Sequence, residues 1–137
     1  MKLYVRERDS DYFVRLAREP ETHTIISQIS VHEMWSGLHR KEFMRAIPAN
    51  TAELAYQSFE HHVEDSVLDV IPYGRDVASE FNRIIRICYG ANPVVPIRTM
   101  DGLLLASALI ARTADLVSTD SRMRAAGVLL GLRILPS

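Results

Sequence analysis

The chain has few of the features that mark secreted, membrane-spanning or generally nucleic-acid-binding proteins. Its single cysteine, Cys88, excludes an internal disulfide and agrees with a reducing compartment. Its longest apolar run, at 102–111, is well short of the roughly 20 residues that a membrane span requires. Sixteen basic residues balance 17 acidic ones, so the net charge of -1 gives no general attraction to nucleic acid or to an anionic membrane.

The bulk composition is that of an ordinary globular protein. The 137 residues are 47% hydrophobic and 24% charged, which suits one domain with an ordinary core. The N-terminus lacks the basic, apolar and small-residue order of a secretory signal, because a charged run at 6–9 follows Val5 directly. We therefore expect one domain over 1–137, located in the cytoplasm and not attached to a membrane.

Helical and strand patterns alternate along the chain. Helical spacing or capping signals predict helices over 10–18, from Ser30 to Lys41, over 51–63, from Val77 to Gly90, over 101–111 and from Asp120 to about 127. Short β-branched or apolar runs predict strands at 22–30, 67–71, 114–118 and 132–135. This alternation favours an α/β fold with three α/β/α layers and a mostly parallel central sheet. Such sheets bind ligands at the carboxyl ends of their strands.

Three carboxylates occupy matching positions in this pattern. Glu33, Asp101 and Asp120 each lie in the first turn of a predicted helix, and two of these helices directly follow a strand. Helix starts gather at one edge of a parallel sheet, so we expect the three side chains to converge and to hold a hard divalent cation such as Mg²⁺ or Mn²⁺. The alternative is that each acid has only a structural role, because acids favour helix N-termini. Glu33 completes an S-V-H-E capping-box pattern in its own helix, and Thr99 can cap the helix that begins near Asp101.

Two segments around these acids resemble a known family. TMDGLLLASALIARTADLVSTDSRM, at 99–123, is similar to the C-terminal half of PIN-domain proteins, especially VapC-like toxins of type II toxin-antitoxin systems. There an acidic residue opens an Ala- and Leu-rich helix, and Thr-x-Asp follows the next strand. ISVHEMWSGLHRKE, at 29–42, resembles the second acidic motif of the family, a Glu near the start of a helix. The resemblance covers essentially the whole chain.

The resemblance implies a metal-dependent ribonuclease. Glu33, Asp101 and Asp120 match three of the family's acids, which hold Mg²⁺ or Mn²⁺ so that a water is activated and charge on the scissile phosphate is stabilised. Ser118 stands where the family usually has Thr and keeps the hydroxyl. Gly102 replaces a usual Ala, and Leu104 stands where many members have His. The implied partners are an RNA substrate, a cognate antitoxin protein and a second copy in a homodimer.

The opening KLYVRE, at 2–7, also fits the family, as the continuation of a first strand that ends in an acid. By the family spacing that acid would lie roughly five residues before Met1. Our interpretation is that Met1 is an internal methionine mistaken for the start, or that the chain is truncated. The alternative is a degenerate member, which would act as a catalytically impaired module that binds RNA or antitoxin.

Basic residues flank the acidic motifs. Arg98, Arg122 and Arg124 lie close to Asp101 and Asp120 in sequence, and Arg40 lies near the end of the Glu33 helix. We interpret them as contacts for RNA phosphates, although solvated surface charge is the alternative. An unrelated receiver-type signalling domain is ranked last, because it requires a Lys after a late strand and no Lys follows Lys41.

Overall fold

The computed structural model describes residues 10–19 and 22–137. Its elements are α1 (Ser10–Arg18), β1 (Thr24–Ser27), α2 (Gln28–Phe43), α3 (Thr51–Glu64), β2 (Leu68–Ile71), α4 (Arg75–Gly90), α5 (Thr99–Ile110), β3 (Asp115–Val117), α6 (Ser121–Leu129) and β4 (Arg133–Leu135). They belong to two compact units, the first ending at Val70 and the second beginning at Ile71. The predicted mixture of helices and strands is confirmed, and the segment 2–7 lies outside the described residues.

The first unit contains a helix that begins earlier than predicted. Ser27 is the N-cap of α2, because its backbone is extended and its Oγ accepts a hydrogen bond from the Ile29 N–H at 3.0 Å. The strand before it therefore ends at Ser27, and Glu33 is the sixth residue of α2. The predicted capping box from Ser30 to Glu33 is wrong, because the earlier serine has already begun the helix.

The core of the first unit lies between α2 and α3. Its buried side chains are Val31, Met34 and Leu38 from α2, Ala52, Ala55 and Phe59 from α3, and Leu68 from β2. On each helix they recur every three or four residues, which is the spacing of one helix face. The end of α2 also fixes the start of α3, since Glu42 Oε1 accepts a hydrogen bond from the Ala52 N–H at 2.6 Å. The strand β1 pairs with β2, and the His23 ring is hydrogen-bonded to the Asp69 carboxylate.

The second unit joins a helical pair to a small parallel sheet. Strands β3 and β4 pair in parallel with Asp115 opposite Arg133 and Val117 opposite Leu135. The core consists of Val77, Ile84, Cys88, Ile97, Leu105, Ala106, Met123, Ala126 and Leu132. The three helices and both strands of this unit contribute apolar side chains to this cluster, including Leu116 and Ile134 from the strands.

Two glycines allow close packing in the second unit. A Cβ added at Gly102 would lie 2.7 Å from Phe81 Cε2, so the Ala that the family resemblance leads one to expect would require the Phe81 ring to move. A Cβ added at Gly127 would lie 2.5 Å from Ile134 Cδ1 and 2.9 Å from Leu116 Cδ2. Helix α5 therefore packs tightly on α4, and α6 packs tightly on the β3–β4 sheet.

The sheets of the described residues are small. The four strands form two separate two-stranded sheets, β1 with β2 and β3 with β4. The three-layer arrangement around one central sheet, and the single domain over 1–137, stay predictions. Within the part of the chain that the structure describes, no helix is both long and apolar enough to cross a membrane.

An ion pair across the β3–β4 sheet gives a prediction for pH. Arg133 Nε and Nη2 donate to the two carboxylate oxygens of Asp115, each at 2.7 Å, and this hydrogen bonding lowers the pKa of Asp115. A lowered carboxyl pKa adds stability above the unfolded value of about 3.9, and that stability is lost as the pH falls through the folded value. The effect is small because the Arg133 side chain is 72% exposed.

We therefore expect Asp115→Asn to lower the melting temperature slightly at pH 7. The difference from the wild type should shrink progressively as the pH falls from about 5 to about 2. Thermal unfolding followed by circular dichroism at several pH values measures it. A difference that is constant over this range would show that the charge of Asp115 does not stabilise the sheet.

Candidate functional site

Asp120 lies between β3 and α6 and is held there by two hydrogen bonds. It is the N-cap of α6, and its Oδ1 accepts from the Met123 N–H at 2.9 Å. Its own N–H donates to Ser118 Oγ at 3.1 Å. The sequence prediction that Asp120 starts this helix is confirmed. Within the described residues its second oxygen, Oδ2, has no hydrogen-bond partner, and the residue is exposed.

Asp101 is the third residue of α5 and is half-buried. Its Oδ2 accepts from the backbone N–H of Arg98, the N-cap residue, at 3.0 Å. The prediction that Thr99 caps this helix is wrong, because Thr99 is already its first residue. The Arg98 side chain cannot accept a hydrogen bond from the first turn of the helix. Among the described residues, the start of α5 is therefore capped by the bond from the Arg98 N–H to the Asp101 carboxylate. Its Oδ1 makes no hydrogen bond to the described part of the chain.

Glu33 has a different setting from the two aspartates. It is exposed on α2 and makes no hydrogen bond or ion pair with the residues that the structure describes. It belongs to the first unit, whereas Asp101 and Asp120 belong to the second. Over residues 10–19 and 22–137, no group of three or more His, Cys, Asp or Glu side chains could hold a metal ion. The convergence of the three acids therefore stays a prediction.

The donor chemistry of the two aspartates nevertheless suits a hard cation. Asp101 and Asp120 each use one carboxylate oxygen to cap a helix and leave the other without a hydrogen bond in the described structure. Mg²⁺ is usually held by one or two carboxylates together with waters and substrate phosphates, rather than by a cage of protein ligands. Two free carboxylate oxygens in one unit therefore fit such an ion in chemical type.

The four predicted RNA-binding arginines differ in their surroundings. Arg98 and Arg40 are exposed, Arg122 is half-buried, and their side chains have no hydrogen bond or ion pair to the described residues. Arg124 is also half-buried, but its Nη1 donates to Ser118 O at 2.8 Å and its Nη2 to Pro136 O at 2.7 Å. Of the four, Arg124 alone is held by described backbone carbonyls.

The family resemblance pointed to the Ser118 hydroxyl without its partner, whereas the bonds of Arg124 to backbone carbonyls were not predicted from the sequence. Ser118 Oγ accepts from the Asp120 N–H, two residues later, so the hydroxyl shapes the turn that carries Asp120. The sequence does contain one signal for the position of Arg124. It lies four residues after the N-cap Asp120, which places it one helical turn further along α6. The Pro136 carbonyl gave no such signal, because it is 12 residues from Arg124 in sequence.

Other chemical groups in the structure do not add to this site. Cys88 is fully buried, and burial raises the pKa of its thiol, so it stays protonated at neutral pH and is a poor nucleophile. Two grooves lie in the first unit, one beside His39, Phe43 and Arg45 and one beside Val31 and Tyr56. Neither groove is lined by Glu33.

Comparison with known proteins adds no family assignment, so the resemblance rests on the sequence motifs alone. No protein-family model, no curated protein and no solved structure matches this chain.

Proposed function

We propose that the chain is a PIN-like ribonuclease of the VapC type that hydrolyses RNA with the help of Mg²⁺ or Mn²⁺. The observation that carries the proposal is the pair of aspartates in the second unit. Asp101 and Asp120 each keep one carboxylate oxygen without a hydrogen-bond partner among the described residues, while the other oxygen holds the start of a helix. Side chains fixed in this way lose little freedom when they bind a cation.

The proposal includes the fold and the partners that the family resemblance implies. The fold is a single three-layer α/β/α domain with a mostly parallel central sheet, and the parallel pairing of β3 with β4 supports this. The partners are an RNA substrate, a cognate antitoxin protein and a second copy of the chain in a homodimer. The location is the cytoplasm, without membrane attachment.

The metal ion, the carboxylates and the arginines have separate proposed roles. A bound Mg²⁺ or Mn²⁺ supplies an activated water and stabilises the negative charge that develops on the phosphate. Asp101 and Asp120 are the proposed ligands from the second unit, and Glu33 is the proposed third carboxylate. Arg98 and Arg122, and Arg40 in the first unit, are proposed to bind RNA phosphates through side chains that have no partner in the described structure.

A second candidate function is a module that binds RNA or antitoxin without cutting RNA. One observation favours it, namely that no three His, Cys, Asp or Glu side chains of the described residues could share a metal ion. Binding through the arginines needs no such group. The ribonuclease therefore requires a metal ion, whereas the binding module does not. Both require the positively charged arginines.

The test is incubation of the full chain with a mixture of labelled RNAs in Mg²⁺, Mn²⁺ or EDTA. We expect discrete cleavage products with either metal and none with EDTA, because the proposed reaction depends on a metal ion to lower the pKa of the attacking water. Products are separated on a denaturing gel, and RNA binding is measured in parallel by filter retention. Binding without cleavage would support the second candidate, and the absence of both would contradict both.

A further inference from the structure

Arg124 connects three segments of the second unit through hydrogen bonds. Its backbone N–H donates to Asp120 O at 2.9 Å, in the first turn of α6. Its guanidinium donates to Ser118 O, just after β3, and to Pro136 O, just after β4. The two strand ends are themselves joined, since Ser118 N–H donates to Leu135 O at 3.0 Å. The half-buried Arg124 thus holds the ends of both parallel strands against the helix that follows Asp120.

These bonds act on Asp120 through Ser118. The Ser118 carbonyl is fixed by Arg124, and the Ser118 hydroxyl accepts from the Asp120 N–H. Asp120 Oδ1 is fixed in turn by the Met123 N–H. Hydrogen bonds to Ser118 and Met123 therefore hold the backbone and Oδ1 of Asp120. These two bonds together fix the direction in which Oδ2 points.

The geometry points to Arg124 as a positioning residue that orients Asp120 for a divalent cation, in place of the RNA contact predicted from the sequence. A guanidinium is a planar fork with five N–H donors, so it can bridge two carbonyls at once. A Lys ammonium is a single point charge on a flexible stem and cannot keep both bonds in the same geometry. The role of Asp120 as a cation ligand rests on the proposed function, whereas the bonds of Arg124 do not.

The contrast between Arg and Lys separates the two roles of Arg124. The variants are Arg124→Lys and Arg124→Ala, with Arg86→Lys and Arg86→Ala as matched controls at an exposed arginine on α4 of the same unit. Mn²⁺ binding to the folded full chain without RNA is measured by electron paramagnetic resonance titration. Hydrogen exchange of the backbone amides at 118–123 is measured by mass spectrometry. RNA affinity in EDTA is measured in parallel.

We expect both Arg124 variants to bind Mn²⁺ about tenfold or more weakly than the wild type, which is the usual effect of removing a group that orients a metal ligand. Both should also exchange the 118–123 amides faster, whereas the Arg86 variants should match the wild type in Mn²⁺ affinity and exchange. A residue with only a structural role would lower the melting temperature and leave the Mn²⁺ affinity of the folded chain unchanged, and that result would overturn the proposal.

Other outcomes are equally decisive. If Arg124→Lys keeps wild-type Mn²⁺ affinity and exchange, and only Arg124→Ala loses RNA affinity, Arg124 is a phosphate contact and the positioning role is wrong. If the wild type itself binds no Mn²⁺, the proposed metal-dependent function fails, and amide exchange alone decides the role of Arg124. Faster exchange in both variants would then support its hold on the Asp120 segment, and unchanged exchange would overturn it.

Discussion

Asp101→Asn should reduce metal-dependent RNA cleavage by roughly 10²- to 10³-fold, the range seen when one preorganised electrostatic group is removed from an active site. The amide oxygen of Asn can still accept from the Arg98 N–H, so the start of α5 should persist. The amide nitrogen then takes the place of the free carboxylate oxygen, which removes the negative charge and presents a donor to the cation. Cleavage rates in Mg²⁺ and Mn²⁺, with circular dichroism spectra, measure the change.

The matched control for this variant is Asp115→Asn. It is the same chemical change in the same unit, at a carboxylate whose two oxygens are both bound to Arg133. We expect it to retain cleavage within about twofold, because a surface change of this size shifts stability by no more than about 0.5 kcal/mol. If Asp101→Asn cuts RNA at the wild-type rate while remaining folded, Asp101 is not a ligand. Equal losses in both variants would point to a general effect of charge.

Leu105→Ala should lower the protein's free energy of unfolding by about 2–5 kcal/mol. Leu105 is fully buried in the core of the second unit and lies one helical turn after Asp101 on α5. Its loss would remove apolar contacts and leave a cavity that neighbouring side chains fill only in part. Urea unfolding followed by circular dichroism measures the change, and the slope of the transition should stay the same if only stability is affected.

The control for the core variant is Val128→Ala on α6. The Val128 side chain is 66% exposed, and Ala is the better helix former, so the free energy of unfolding should change by no more than about 0.5 kcal/mol. If both variants are equally stable, the burial of Leu105 contributes little. Such a result would also remove the physical reason for treating α5 as a rigid support for Asp101.

Most elements could be predicted because their signals are local. The helix over 51–63 and the strand at 67–71 are found as α3 and β2, since apolar spacing and β-branched runs act over a few residues. The start of α2 could not be predicted, because Ser27 and Ser30 are both good N-caps and only the structure shows which one is used. The N-cap of α5 was missed because Arg98 has no capping side chain and depends on Asp101.

The candidate site could be predicted in part. The position of Asp120 before α6 follows from the favourable energy of an acid at a helix start, so a sequence pattern was sufficient. The two carbonyl partners of Arg124 depend on strand pairing and on the chain after β4, which no local pattern encodes. Convergence of Glu33 with the aspartates depends on the order of strands across a sheet, and an alternation of helices and strands does not determine that order.

The close approach at Gly127 limits the side chains that position 127 can carry. A side chain at position 127 would need room that Ile134 Cδ1 and Leu116 Cδ2 now occupy, so a larger residue there requires both of these to be repacked together. A larger residue at position 127 should therefore destabilise the second unit unless the side chains at 116 and 134 become smaller. Asp120 caps the helix that carries Gly127, so a shift of α6 that made room for a larger residue would also move the Asp120 backbone.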